Sequence, residues 1–123
     1  MEKNKHFKKA VIKEKIAELQ SRKFSFAINR IKLPNGHEGE YGSIKHPGAA
    51  LAVPFTKDNK VILLRQYRFA VSRYLLEFPA GTLEIGETPI NSIKREIQEE
   101  TGYKAEKWDQ LGTLVPAPGY ADE

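Results

Sequence analysis

The chain has 123 residues, of which 40% are hydrophobic, so we expect one domain with a modest core and no second domain. It contains no cysteine, which excludes disulfides and thiol chemistry and favours the cytoplasm, and no apolar run approaches a membrane span or a signal peptide. The net charge of +4 permits nucleic-acid binding, but the N-terminal lysines have no aromatic platform among them, so a solvated face or anion steering ranks ahead of nucleic acid.

Residues 1–22 predict an amphipathic N-terminal helix. Apolar side chains recur there at helical spacing between charged residues, at Phe7, Val11, Ile12, Ile16 and Leu19. We expect this helix to pack on a partner or to frame the fold.

Residues 23–48 change to an alternating pattern and predict a β-hairpin. The sequence Pro-Asn-Gly at 34–36 is a strong turn signal between its two strands. Apolar residues change parity between Ile28 and Ile31, which suggests a bulge in the first of these strands.

Residues 49–123 predict the core of an α/β domain with a mixed sheet. Four segments predict strands: 49–55, 61–67, 75–78 and, interrupted near Gly112, 103–114. The first of these is nearly continuous in its apolar residues, which is typical of a strand buried on both faces. Residues 79–81 predict a loop that leads towards the next helix.

That helix is predicted from Pro89 to Thr101. Thr88 can accept a hydrogen bond at the N-cap, proline suits the first helical position, and Gly102 suits the left-handed position after the helix. An apolar stripe on one face is expected to pack on the core, and it consists of Ile90, Ile93 and Ile97.

Three carboxylates, from Glu96, Glu99 and Glu100, share a second face of the same helix. Such a cluster taken alone is most often a solvated face. Two carboxylates about 5 Å apart repel by about 3 kcal/mol at an effective dielectric of about 20, so a partly buried cluster requires protonation or a cation. Mg²⁺ binds carboxylates together with water and phosphate oxygens, which makes this face a candidate metal site.

The stretch that contains this helix resembles the Nudix box, G-x5-E-x7-R-E-U-x-E-E-x-G-U, in which U is a bulky apolar residue. Every fixed position is filled, by Gly81, Glu87, Arg95, Glu96, Ile97, Glu99, Glu100, Gly102 and Tyr103. Eight specified positions of ordinary composition match by chance about once in 10⁹ starts. The one soft departure is Tyr103, because an aliphatic residue is commoner at that position.

The flanking motifs are similar to those of the ADP-ribose pyrophosphatases in this family. They are L-P-N-G from Leu33, H-P-G-A-A from His46, L-L-R-Q-Y-R from Leu63, L-L-E-F-P-A-G from Leu75 and A-P-G-Y-A-D-E from Ala117. In this branch a proline sixteen residues past the box marks the substrate class, and Pro118 stands at that distance from Gly102. The resemblance implies hydrolysis of ADP-ribose, or of a related nucleoside diphosphate sugar, to AMP and a sugar phosphate.

The resemblance also implies a set of metal ligands. Glu96 and Glu100 are expected to bind Mg²⁺ directly, with Mn²⁺ as a substitute. Glu99 is expected to bridge or to orient, and the backbone carbonyl of Ala80 to complete one coordination sphere. The cation would then neutralise charge on the diphosphate and activate water.

Other roles follow from the same resemblance. Arg95 is expected to pair with Glu87 and so to fix the loop against the helix. Arg68 is expected to bind the diphosphate, because a guanidinium fork matches phosphate oxygens, although a surface arginine at a strand end is the alternative. The expected catalytic set is Glu87, Arg95, Glu96, Glu99 and Glu100, and the expected substrate-binding set is Arg68, Ala80, Gly81 and Pro118.

For three further residues the sequence favours no functional role over a structural one. Glu77 and Glu84 lie close to the site in sequence, but a structural salt bridge explains each of them at least as well. Trp108 is most often a core or edge aromatic.

The implied fold is a Nudix-like α/β/α sandwich with a mixed sheet, preceded here by the N-terminal helix and hairpin. That fold normally continues past the position of Glu123, so we expect the C-terminal strand and helix to be lacking, together with the general base. Two alternatives stay open: a truncated domain that binds ADP-ribose with weak or no turnover, and a hydrolase of another nucleoside diphosphate derivative. Related proteins are typically homodimers, so we expect a homodimer with no membrane partner.

Overall fold

The computed structural model describes residues 8–123, and these fall into two units. One unit joins the described residues up to His46 to the segment Val115–Glu123. The other unit is Pro47–Leu114. Within the described part of the chain, no helix is long and apolar enough to cross a membrane.

The first unit contains a three-stranded antiparallel sheet in the order β1-β2-β3. Its strands are β1 (Val11–Gln20), β2 (Ser25–Lys32) and β3 (Glu38–Lys45). The predicted hairpin is therefore confirmed as β2 and β3, and Gly36 in its turn has the left-handed φ of 90°. The register between β2 and β3 is unbroken, whereas two register shifts lie in β1, so the bulge expected in β2 is wrong.

The N-terminal helix predicted for residues 1–22 is wrong over Val11–Gln20, which form β1. Residues 1–7 of that prediction lie outside the described residues. Every residue of β1 is exposed, so the apolar spacing does not mark a buried helix face. The backbone of β1 instead pairs with β2. Two register shifts in β1 accommodate the helix-like spacing of its apolar residues, which does not fit the strict alternation of a regular strand. Pairing with a neighbouring strand has overridden the local helical pattern.

The last residues of the chain return to the free edge of β3. The Ile44 amide donates to the Tyr120 carbonyl at 2.7 Å, and the Asp122 amide donates to the Ile44 carbonyl at 3.2 Å. The His46 amide also donates to the Asp122 carboxylate at 2.7 Å. These bonds explain why Val115–Glu123 groups with the hairpin.

The second unit has two small antiparallel sheets and one α-helix. Strand β4 (Ala49–Leu51) pairs with β7 (Ala80–Thr82), and β5 (Leu64–Arg68) pairs with β6 (Arg73–Glu77). A short 3₁₀ turn, Phe69–Val71, joins β5 to β6. The helix α1 spans Pro89–Thr101, as predicted.

Three strand predictions in this unit need correction. The segment 49–55 forms a strand only over Ala49–Leu51, and it is not buried on both faces, because Leu51 and Phe55 are exposed. The segment 79–81 is not a loop, since Ala80–Thr82 pairs with the open edge of β4. The segment 103–114 forms no strand, because no described strand pairs with its backbone.

Helix α1 is held by the predicted caps and by one apolar face. The Thr88 hydroxyl accepts from the Asn91 amide at 3.4 Å, and Gly102 has a φ of 74° at the C-cap. The buried apolar cluster is Ala50, Ile93 and Ile97, with Ala52, Leu83 and Trp108 packed against it. Helix α1 therefore packs on β4 and β7, which brings its carboxylate face close to β7.

Candidate active site

Strand β7 passes α1 closely enough to touch its carboxylates. A Cβ at position 81 would collide with the Oε1, Cδ and Cγ atoms of Glu96, so only glycine allows this approach. One residue earlier, the Ala80 backbone hydrogen-bonds to the carboxylate of Glu100. The first glycine of the box and the last glutamates of α1 thus form one local structure.

The carboxylate of Glu100 lies in an unfavourable electrostatic environment. Desolvation raises its pKa above the ordinary value, and repulsion from Glu96 and more weakly from Glu77 raises it further. The hydrogen bond from Ala80 and the positive charge of Arg68 act in the opposite direction. The net effect is a raised pKa, so a cation at this point would offset the desolvation and the repulsion from Glu96.

Arg95 connects the loop before α1 to the carboxylates of the helix. Its Nε and Nη2 atoms donate to the two oxygens of Glu87, each at 3.2 Å. Its Nη1 atom donates to Glu96 at 2.8 Å and to Glu99 at 3.2 Å. The hydrogen bonds between Arg95 and Glu87 are the main cause of two pKa shifts. They raise the pKa of Arg95 and lower the pKa of Glu87. The predicted Arg95–Glu87 pair is present, and it extends to two further carboxylates.

Arg68 makes a bidentate ion pair with Glu77. Its Nε atom lies 2.9 Å from Oε1 and 3.1 Å from Oε2 of Glu77, and its Nη2 atom lies 2.6 Å from Oε2. This pairing raises the pKa of Arg68 and lowers the pKa of Glu77. Glu100 is also close enough to raise the pKa of Arg68. The salt bridge suggested for Glu77 is therefore present, and it lies next to the carboxylates of α1.

Two further sequence-predicted residues are Glu99 and Pro118. The side chain of Glu99 is 58% exposed and contacts Arg95. Pro118 is exposed and belongs to the first unit, in a turn closed by the Tyr120 amide and the Ala117 carbonyl at 3.1 Å.

The donor chemistry of the site fits a hard divalent cation. Glu96 and Glu100 repel each other, and Gly81 of β7 leaves room for the carboxylate of Glu96 beside the backbone. Over residues 8–123, no three acidic or histidine side chains converge closely enough to form a metal cluster by themselves. The protein thus supplies a few carboxylates rather than a closed cage, as is usual for Mg²⁺ sites that also use water and phosphate oxygens.

Sequence reasoning missed the link between Arg68 and Glu77. Both residues lie on one face of the β5–β6 hairpin, because Arg68 stands opposite Arg73 and Glu77 stands opposite Leu64. Alternation along the two strands could have placed them on the same face. The register that brings them within reach could not be read from the sequence.

The chain is similar in sequence to one family model and to several curated proteins. The family model described as the NUDIX domain matches residues 45–122. The chain is 36% identical over 115 residues to an ADP-ribose pyrophosphatase of Bacillus subtilis (strain 168), which covers 94% of this chain and 61% of that protein. It is 38% identical over 96 residues to a methanol dehydrogenase activator of Bacillus methanolicus, which covers 78% of this chain and 52% of that protein.

A solved structure supports the same fold. The crystal structure of an ADP compounds hydrolase superposes with a TM-score of 0.76 at 28% identity, covering 96% of this chain and 64% of that chain. The predicted mixed α/β organisation is thereby confirmed, although α1 is the only α-helix among residues 8–123. The chain spans between about half and about three-fifths of the length of the two curated relatives named above.

Proposed function

The chain belongs to the Nudix family, and from that premise we propose that it hydrolyses the diphosphate bond of ADP-ribose or of a related nucleoside diphosphate sugar. The products would be AMP and a sugar phosphate. The observation that carries this proposal is the contact between Gly81 of β7 and the carboxylate of Glu96 on α1, which repels the partly desolvated carboxylate of Glu100. Similarity to an ADP-ribose pyrophosphatase, at 36% identity over 94% of this chain, supports the choice of substrate.

The proposed cofactor is Mg²⁺, with Mn²⁺ as a substitute. Glu96 and Glu100 would hold the ion, with Glu99 and the backbone carbonyl of Ala80 as further ligands. When bound, a divalent cation neutralises charge on phosphate oxygens and makes water a better nucleophile. Desolvation and then repulsion from Glu96 raise the pKa of Glu100, which supports this assignment, because a bound cation would offset both effects.

The residues of the chain itself would bind and orient the substrate. Arg68 would contact the diphosphate, and Gly81 would let the carboxylate of Glu96 lie against β7 beside the bound substrate. Arg95 would keep Glu96 and Glu99 in place through the hydrogen bonds described above, and Glu87 would anchor Arg95. Attack of water on one phosphorus breaks the P–O–P bridge, and the water protons pass to solvent and to the product phosphates.

Three further properties belong to the same proposal. We propose a homodimer, which the exposed apolar side chains of Ile12 and Leu19 on β1 support, at 64% and 72% exposure. Pro118 is proposed as a substrate contact on the strength of its distance from the box. A cytoplasmic location is supported by the cysteine-free composition.

A second candidate function is hydrolysis of another ADP-containing compound, such as a dinucleotide. It is favoured by the solved structure described as an ADP compounds hydrolase, which covers 96% of this chain. A panel of ADP-ribose, dinucleotides and other sugar nucleotides separates the two candidates by their kcat/KM values.

The test of the leading proposal is incubation with ADP-ribose and Mg²⁺, followed by quantification of AMP and ribose 5-phosphate. Glu100→Gln should lower the rate by about 100-fold or more, because it removes a proposed ligand of the cation that neutralises charge on the phosphate oxygens. Glu106→Gln is the matched control, since Glu106 lies outside the site, and it should keep the wild-type rate. Absence of AMP with the wild-type chain, or an unchanged rate in Glu100→Gln, would contradict the proposal.

A further inference from the structure

The guanidinium of Arg68 uses only one of its edges in the ion pair with Glu77. The hydrogen bonds to Glu77 come from Nε and Nη2, at 2.6 to 3.1 Å. Among the hydrogen bonds formed within residues 8–123, none involves Nη1 of Arg68. Because a guanidinium carries five N–H donors in a fixed plane, the edge that includes Nη1 stays available for another anion.

The pair is formed over an unusually long reach. Arg68 and Glu77 are not cross-strand neighbours, since Arg68 stands opposite Arg73 and Glu77 opposite Leu64. Both side chains therefore extend along the same face of the hairpin to meet. Two mobile side chains lose conformational freedom in this arrangement, which a bidentate, charge-assisted pair can offset. The result is a guanidinium whose plane and position are set by Glu77.

The site around this guanidinium is negatively charged. Glu100 is near enough to act electrostatically on Arg68, and Glu77 is near enough to act on Glu100. Arg68 is thus a positive group that acts on Glu100 of α1, where a diphosphate needs a cationic partner. The side chain of Glu77 is 23% exposed and that of Arg68 is 50% exposed, so a ligand can reach the open edge.

We propose that Glu77 is a positioning residue that binds the Nε and Nη2 edge of Arg68 and thereby presents the Nη1 edge to the diphosphate of the substrate. Glu77 does not touch the substrate and acts only through Arg68. This inference rests on the proposed function, because it assigns a role towards the diphosphate of that substrate.

The test compares the wild type with Glu77→Gln, Arg68→Gln and the double variant, using ADP-ribose and Mg²⁺. Gln keeps the size of Glu77 but cannot form a bidentate charged pair. We expect Glu77→Gln to raise KM for ADP-ribose about tenfold with a smaller change in kcat, because oriented binding is lost in ground state and transition state alike. The double variant should match Arg68→Gln alone, because Glu77 acts only through that arginine.

Arg65→Gln is the matched control. Arg65 lies on the same strand but on the opposite face, where its guanidinium stacks 4.1 Å from the centre of the Tyr74 ring. It should change KM by less than about twofold. A KM in Glu77→Gln within twofold of wild type, or single-variant effects that multiply in the double variant, would overturn the inference.

Two measurements separate this inference from protein stability and from the proposed function. NMR of the arginine Nε–H signals should show a protected signal that disappears in both Arg68→Gln and Glu77→Gln, and its persistence in Glu77→Gln would overturn the pairing in solution. If the wild type does not cleave ADP-ribose, the proposed function fails, and the calorimetric Kd for ADP-ribose replaces KM in the same comparison. A wild type that neither cleaves nor binds ADP-ribose would overturn both.

Discussion

Replacing Gly81 by alanine tests the packing that joins β7 to α1. The added Cβ would collide with the Oε1, Cδ and Cγ atoms of Glu96. Because Cγ is among them, a small rotation of the carboxylate group alone cannot relieve the collision. Glu96 must therefore rotate away, which also breaks its hydrogen bond with Nη1 of Arg95 at 2.8 Å. The substitution acts on the site through sterics alone, because alanine introduces no charge.

The magnitude follows from two opposing effects. Overpacking of this kind destabilises by about 1–3 kcal/mol. Alanine also lowers the conformational entropy of the unfolded chain, which stabilises the folded state by about 0.4–1 kcal/mol. The net loss of unfolding free energy is about 1–2 kcal/mol, which corresponds to roughly 4–10 °C in Tm for a chain of this size.

Thermal unfolding and ADP-ribose hydrolysis measure the two consequences of Gly81→Ala. Tm should fall by the amount above, and hydrolysis at a temperature where the variant is folded should fall about tenfold or more, because Glu96 is displaced. Gly119→Ala is the control for stability, since a Cβ there would meet nothing within 4 Å. A Gly81→Ala chain with wild-type Tm and wild-type rate would show that β7 does not depend on glycine to pack against Glu96.

Three further predictions concern other parts of the same structure. Arg95→Lys should lower activity about tenfold, because an ammonium cannot pair with both oxygens of Glu87 while holding the helix carboxylates, and steady-state kinetics would measure it. Ile97→Ala, at 2% exposure, should lower the unfolding free energy by about 3 kcal/mol in urea titration, whereas Ile90→Ala, at 42% exposure, should lower it by less than about 1 kcal/mol. The folded pKa of Glu77 lies below its ordinary value of 4.5, so its stabilising effect should be full above that pH and decrease as pH falls. The difference in unfolding free energy between wild type and Glu77→Gln should therefore be constant near pH 7 and shrink below about pH 4.5; a difference that grows on acidification would contradict this.

The sequence predicted α1 well because the information that defines this helix is local. Thr88, Pro89 and Gly102 mark its ends, and each does so through its own backbone preference or a hydrogen bond within three residues. The same local character explains the confirmed hairpin, whose turn contains Gly36 at positive φ. The Arg95–Glu87 pair was expected from the resemblance to the family. The structure shows in addition that Arg95 donates hydrogen bonds to Glu96 and Glu99 of α1.

The errors arose where pairing depends on distant parts of the chain. The residues of β1 have helical apolar spacing, yet their backbone pairs with β2, and register shifts near Glu14 and Ala17 let the strand tolerate that spacing. The segment at Ala80 was taken for a loop because its partner, Leu51, is almost thirty residues earlier in the sequence. The reach of Arg68 to Glu77 likewise depends on a register that only the folded hairpin defines.

We propose above that the carboxylate face of α1 holds a hard divalent cation. The most direct measurement is EPR of free Mn²⁺ during titration with the wild type, with Glu100→Gln and with the control Glu106→Gln. We expect the wild type and Glu106→Gln to remove the free-ion signal alike, and Glu100→Gln to bind Mn²⁺ at least about tenfold more weakly. Equal Mn²⁺ binding by wild type and Glu100→Gln, or no binding by the wild type, would contradict it.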